Sequence, residues 1–244
     1  MTLQEFITKF NVKLNKQQLE AVQSVEKPTL LLAVPGSGKT TVLVTRLGYM
    51  IYCMGIRPEE ILTVTYTVAA TNDMRKRFAA IFGVELAKRL EFRTINGICA
   101  KIIGYYGRCV GKKAFDLVTD ESYKTKLLSA IYTELIHQYP TESDLKNIST
   151  LITYIKNMQL SENEINKIEN EQDIPLLNIY NAYCEQMRKQ SLMDYDDQMV
   201  YALTMLKVSP QILEYFQEMY KYICVDEAQD TSKIHASQDS EVNG

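Results

Sequence analysis

The stretch LLLAVPGSGKTT, residues 30–41, is an apolar run followed by a glycine turn, a lysine and two threonines. A phosphate-binding loop needs a glycine, four residues, then Gly-Lys-[Ser/Thr]. Gly38, Lys39 and Thr40 fit, while Ala33 takes the first glycine position, which is tolerable if its φ stays negative. In the turn Pro35-Gly36-Ser37-Gly38, the N–H groups and dipole of the following helix favour an anion. Pro35 stiffens this loop, provided its nitrogen faces no phosphate. Lys39 would neutralise terminal phosphates, the Thr40 hydroxyl would ligate Mg²⁺, and Thr41 closes the nucleotide-binding run. Such a loop works with a carboxylate at the end of a neighbouring strand. YICVDE, residues 222–227, supplies one. Asp226 would hold Mg²⁺ through water, and Glu227 would orient and deprotonate the attacking water. ATP and Mg²⁺ are the expected cofactors, with Lys39, Asp226 and Glu227 catalytic and Thr40 and Asp226 on the metal side. The alternative is a glycine-rich turn and an acidic strand exit with no ligand.

The elements that must position these groups follow from periodicity. Residues 2–26 read as helical, with Asn15 as a cap. TLLLAV (29–34) and EILTVTY (60–66) are short apolar runs of the kind found in strands buried on both faces. Helices are expected from Lys39 to about Met54 and over 69–82, and LEFRT (90–94) gives a strand with a helix after it. This alternation predicts a parallel, doubly wound α/β sheet. From about Asp120 to Met219 the chain is a series of amphipathic helical stretches punctuated by Pro140, Pro175 and Pro210. KYICVDEAQD then returns to a buried strand. The sheet is therefore expected to be interrupted by a helical insertion of about a hundred residues.

With 46% hydrophobic and 23% charged residues, the composition is that of an ordinary globular protein. No stretch has the length of a membrane span, and the amino terminus lacks a signal-peptide layout. Five scattered cysteines argue against a disulfide framework or zinc site and for a reducing, cytoplasmic setting. The net charge of −3 is unevenly spread. Between Arg75 and Lys113 lie ten Lys or Arg against Glu85 and Glu91, a balance of +8 that leaves −11 elsewhere. That stretch is either a solvated helix face or a surface for phosphates.

LNKQQLEAV, AVPGSGKTT, ILTVTYTVAATNDMRKRF, FRTINGICAKII and VDEAQDTS occur here in the order found in the UvrD/Rep/PcrA family of superfamily 1 DNA helicases. The chain resembles that family over roughly residues 12–234. The resemblance implies a RecA-like P-loop NTPase sheet with an inserted all-helical subdomain. Residues 1–109 would be the first part of the ATP-binding domain, 110–218 the helical insertion, and 219–234 the Walker B strand. It implies an ATP-dependent helicase moving 3′-to-5′ on single-stranded DNA, with single-stranded or partly duplex DNA as partner. By position, Gln18 matches a glutamine that reads the adenine edge. Thr65, Tyr66, Thr67, Thr94 and Asn96 match segments that touch the DNA strand, Tyr66 as a stacking partner for a base. Gln229 and Asp230 match residues that couple the nucleotide site to DNA.

The pattern also departs from the family. Val68-Ala69 stands for its Asn-Lys, Thr94-Ile95-Asn96-Gly97 for its Thr-Phe-His-Ser, and Thr41 for a common arginine over the adenine. Nothing after Asp230 resembles the later motifs or the second RecA-like domain, which would be a partner in the complete enzyme. The tail HASQDSEVNG (235–244) is expected to reflect a truncation, an artificial end or a disrupted reading frame. On this reading the chain is an amino-terminal helicase portion with feeble hydrolysis of its own. The other readings are a portion of an AddA-type helicase–nuclease subunit and a non-catalytic partner-binding module.

Overall fold

The computed structural model describes residues 1–32, 34 and 36–227. The amino-terminal region forms two helices, α1 (Leu3–Lys9) and α2 (Lys16–Gln23), instead of the single helical stretch expected. Asn11 breaks it with φ 48°, a conformation that asparagine enters more easily than most residues. Asn15 then restarts it: its side chain accepts from Gln18 N, and Gln18 Oε1 accepts from Asn15 N, both at 2.9 Å. Helix α3 (Lys39–Tyr52), strand β1 (Ile61–Thr65), helices α4 (Val68–Phe82) and α5 (Val84–Arg89), and strand β2 (Glu91–Thr94) follow. Helix α6 (Ile95–Val110) leads to strand β3 (Asp116–Leu117) and helices α7 (Glu121–Ile136), α8 (Glu142–Met158), α9 (Glu162–Gln172) and α10 (Leu176–Lys189). Strand β4 (Leu192–Met193), helices α11 (Tyr195–Val208) and α12 (Pro210–Met219), and strand β5 (Tyr222–Val225) complete the order.

These elements divide into two units. One runs from Met1 to Ile95 and resumes at Glu214, and the other is Asn96–Leu213. The helical unit thus begins at Asn96, earlier than the boundary expected after residue 109, and takes in nearly all of α6.

The first unit holds a parallel sheet of order β2-β1-β5. Val64 lies opposite Arg93 on one side and Val225 on the other, so β1 is central and every residue of it is buried. Phe6, Leu47, Met50, Ile61, Phe78 and Phe92 form its core. Helices α3 and α4 approach closely because Gly48 has no side chain; a Cβ there would lie 2.1 Å from Phe82 Cζ. The expected strand over 29–34 is not formed: its described residues lie outside any strand, with Leu30, Leu32 and Val34 exposed. The run has the side chains of a strand, but among the described residues no strand pairs with it. Without a ladder its backbone hydrogen bonds are not made within a sheet.

The second unit is helical apart from the two-residue pair β3–β4, which does not join the central sheet. Leu128 and Ile131 of α7, Ile148 and Ile152 of α8, and Ile179 and Tyr183 of α10 form its main core. No helix of the described residues is long and apolar enough to cross a membrane.

Candidate nucleotide and DNA site

The parallel strands end on one side of the sheet, where ligands of open α/β sheets bind. Strand β5 delivers Asp226 there: Asp226 N donates to Val64 O at 2.9 Å, extending the β1–β5 ladder by one bond. Glu227 follows with φ 57°, a left-handed conformation uncommon for a non-glycine residue and often found at functional sites. Its carboxylate meets Lys39 Nζ at 3.4 Å, with both side chains partly exposed. The lysine of the glycine loop and the acid of the strand exit, 188 residues apart, are thus brought together. Burial first, and then the neighbouring Glu227 charge, push the Asp226 carboxyl above the ordinary aspartate range.

The loop itself turns through Gly36 (φ 79°) and Gly38 (φ 86°), both left-handed positions that glycine adopts without strain. Gly38 is the N-cap of α3 and gives that helix no side-chain cap, so its first turn stays open to an anion. Within the loop Ser37 Oγ is buried without a hydrogen-bond partner. An uncapped fourteen-residue helix, an orphaned hydroxyl and a lysine fit a phosphate chain. Adjacent carboxylates, one with a raised pKa, fit a cation. Thr40 lies in the same first turn of α3 and makes no hydrogen bond to Asp226 among the described residues. Thr41 is the next residue along the helix and is exposed.

Gln18 sits against this loop. Its Nε2 donates to Ser37 O at 3.0 Å while its Oε1 caps α2, which leaves one N–H and one lone pair for another partner. Pro35, Gln229 and Asp230 lie outside the described residues. Tyr66 and Thr67 are exposed at the turn after β1, whereas Thr65 is 1% exposed. Thr94 pairs in register with Thr65 at the end of β2. Asn96, in the helical unit, has a buried Oδ1 with no partner.

Two groups escaped the sequence reading. Thr71 Oγ1 bonds the Thr65 hydroxyl and the Thr67 carbonyl, signalled only by three threonines at spacings 2 and 4. Lys156 is buried between Asp194 and Asp197 at 2.8 and 2.7 Å; its signal was a lysine on the apolar Ile148-Ile152-Ile155 face of α8.

Residues 14–238 match the family described as the UvrD/REP helicase N-terminal domain. The chain belongs to this family. Its sheet is therefore the RecA-like P-loop fold of the UvrD/REP helicases. The ATP-dependent DNA helicase PcrA of Leuconostoc citreum is 29% identical over 223 residues, covering 90% of this chain and 29% of that protein. The protein of the same name from Staphylococcus epidermidis is 28% identical over 90% of this chain and 30% of its own length. The chain thus spans about three tenths of the length of these curated relatives.

Proposed function

We propose that this UvrD/REP family chain binds Mg²⁺–ATP at the glycine loop and is the ATP-binding portion of a DNA helicase that moves 3′-to-5′ on single-stranded DNA. The observation that carries the reading is the meeting of Lys39 with the Asp226–Glu227 strand exit beside an uncapped helix start. The first-turn N–H groups of α3 and the Lys39 ammonium would bind the phosphates, and the remaining N–H and lone pair of Gln18 would read the adenine edge. Bound Mg²⁺, held by Thr40 and by Asp226 through water, would supply positive charge where phosphoryl oxygens gain negative charge. Lys39 would have to leave Glu227 to reach a phosphate. That exchange releases the Glu227 carboxylate to accept a proton from the attacking water. Gln229 and Asp230 would carry the change toward DNA, where Tyr66 stacks on a base. Arginines from a second RecA-like domain would stabilise the transition state, a role worth about 10³–10⁵ in rate. Hydrolysis by this chain alone is accordingly expected to be feeble.

Calorimetry on Lys39→Ala and Gln18→Ala tests the nucleotide site. Lys39→Ala should abolish measurable Mg²⁺–ATP binding, and Gln18→Ala should mainly erode preference for ATP over GTP. Parental affinity in Lys39→Ala would remove the assignment.

A further inference from the structure

The turn from β1 into α4 carries more hydroxyl chemistry than its fold requires. Thr65 Oγ1 lies 3.2 Å and Thr71 Oγ1 3.0 Å from the carbonyl of Thr67, and the two hydroxyls also hydrogen-bond each other. The same carbonyl accepts Thr71 N at 3.0 Å, the first backbone bond of the helix. Thr67 Oγ1 meanwhile accepts Ala70 N at 3.1 Å as the N-cap. Each hydroxyl has a single proton to give. With one lone pair of the Thr67 carbonyl taken by Thr71 N, one hydroxyl donates to the other and the second donates to the carbonyl. Thr65 and Thr71 are both buried, at 1% and 6% exposure, so water competes poorly for these bonds. Between the locked residues 65 and 67 sits Tyr66, 53% exposed, with Val68 beyond at 67%. The cluster therefore fixes the backbone on both sides of one outward aromatic.

We propose that Thr71 is a positioning residue. Its hydroxyl, paired with that of Thr65, pins the Thr67 carbonyl and holds the turn in the one conformation that presents Tyr66 to a base of single-stranded DNA. The proposal rests on the reading of Tyr66 as a DNA contact. A pre-set ring loses little conformational freedom on stacking, whereas a mobile turn would give up part of the stacking energy to ordering.

The test uses the 244-residue chain and a fluorescein-labelled oligothymidylate, with binding followed by anisotropy. Mg²⁺–ATP affinity and thermal melting are measured alongside. Thr71→Val keeps the shape and removes the hydroxyl; it should weaken oligothymidylate binding about threefold to tenfold, the range of a lost hydrogen bond. Its ATP affinity should match the parent, and Thr71→Ser should restore DNA binding. Tyr66→Ala should lose at least about fivefold. The double variant Tyr66→Ala/Thr71→Val should bind no more weakly than Tyr66→Ala alone. If Thr71→Val does not fold, Thr65→Val, which removes the other hydroxyl of the pair, carries the same expectations. Parental DNA binding in Thr71→Val beside a weakened Tyr66→Ala overturns the positioning role and leaves the Tyr66 reading standing. Parental binding in Tyr66→Ala overturns both. Parallel loss of DNA and ATP affinity, or additive losses in the double variant, reduces Thr71 to a general stabiliser and also overturns the proposal.

Discussion

Asp226 and Glu227 place two carboxylates side by side at the end of β5, and Glu227 pairs with Lys39 at 3.4 Å. Burial, and then the neighbouring Glu227 charge, raise the Asp226 pKa. The sign of the consequence differs for folding and for binding. Folding favours the neutral carboxyl, so its contribution to stability is fullest below the ordinary 3.8 and is lost as pH rises through the raised value. A cation needs the carboxylate, so Mg²⁺–ATP affinity should fall as pH is lowered from neutrality, before an ordinary aspartate would begin to protonate. Titration calorimetry from pH 7 downward checks this. The fall should be absent in Asp226→Asn, which should bind Mg²⁺–ATP more weakly at pH 7 to begin with.

Elements were legible in the sequence where side-chain pattern alone decides them. Strands β1 and β2 and helices α3 and α4 lie within a residue or two of their expected limits, because each has both an apolar face and a marked end. Of the expected buried strand over 221–230, β5 takes only Tyr222–Val225, with Cys224 its one buried residue. The run 29–34 was misread: hydrophobic pattern reports what side chains prefer, not whether another strand edge is available to pair with. The chain around Asn11 was missed because one left-handed residue ends a helix without altering its apolar period. Lys156 was invisible for the opposite reason, as a charge at an apolar helix position is intelligible only once its partners on α11 are known. There burial opposes the ammonium, but Asp194 and Asp197 more than offset it and raise the Lys156 pKa. Tyr183 Oη also donates to Asp194 at 2.9 Å. Removing the cation strands two buried carboxylates, so Lys156→Met should cost about 3–5 kcal/mol in urea unfolding at pH 7. The pH dependence is the sharper readout. In the parent, Lys156 holds Asp194 below its ordinary value, and that stability is lost as pH falls through the lowered pKa. Burial and the Asp194 charge already raise Asp197 in the parent, so the two aspartates act there with opposite sign. Without Lys156 both should be raised, so the variant should gain more stability than the parent as pH falls from 7 to 5.

Across the whole molecule the basic stretch looks less exposed to phosphate than its +8 balance implies. Arg77 pairs with Asp73, Lys88 with Glu85, Arg89 with Glu59, Arg93 with Glu91, and Lys113 with Asp116. Arg75 turns to the Phe92 carbonyl at 3.1 Å and lies over the Phe92 ring. Asp73, Glu59 and Asp116 all lie outside the 75–113 stretch. Surface pairs of this kind add little to stability. They still matter for binding, since a cation already matched by a carboxylate brings little net charge to a phosphate. Among the described residues, at least five of the ten cations are matched by a carboxylate in this way. Each phosphate neutralised on a single strand contributes about −0.7 to the slope of log affinity against log salt, so this stretch should give a slope no steeper than about −3.5. The slope should come from anisotropy titrations of oligothymidylate between 50 and about 300 mM salt, the range over which counterion release dominates. Asp73→Asn and Asp116→Asn release Arg77 and Lys113 from their partners without touching the Tyr66 turn, and the double change should steepen the slope by up to about 1.4. An unaltered slope would mean that these cations face away from the strand, and that Tyr66 with the uncounted backbone of the turn holds the DNA.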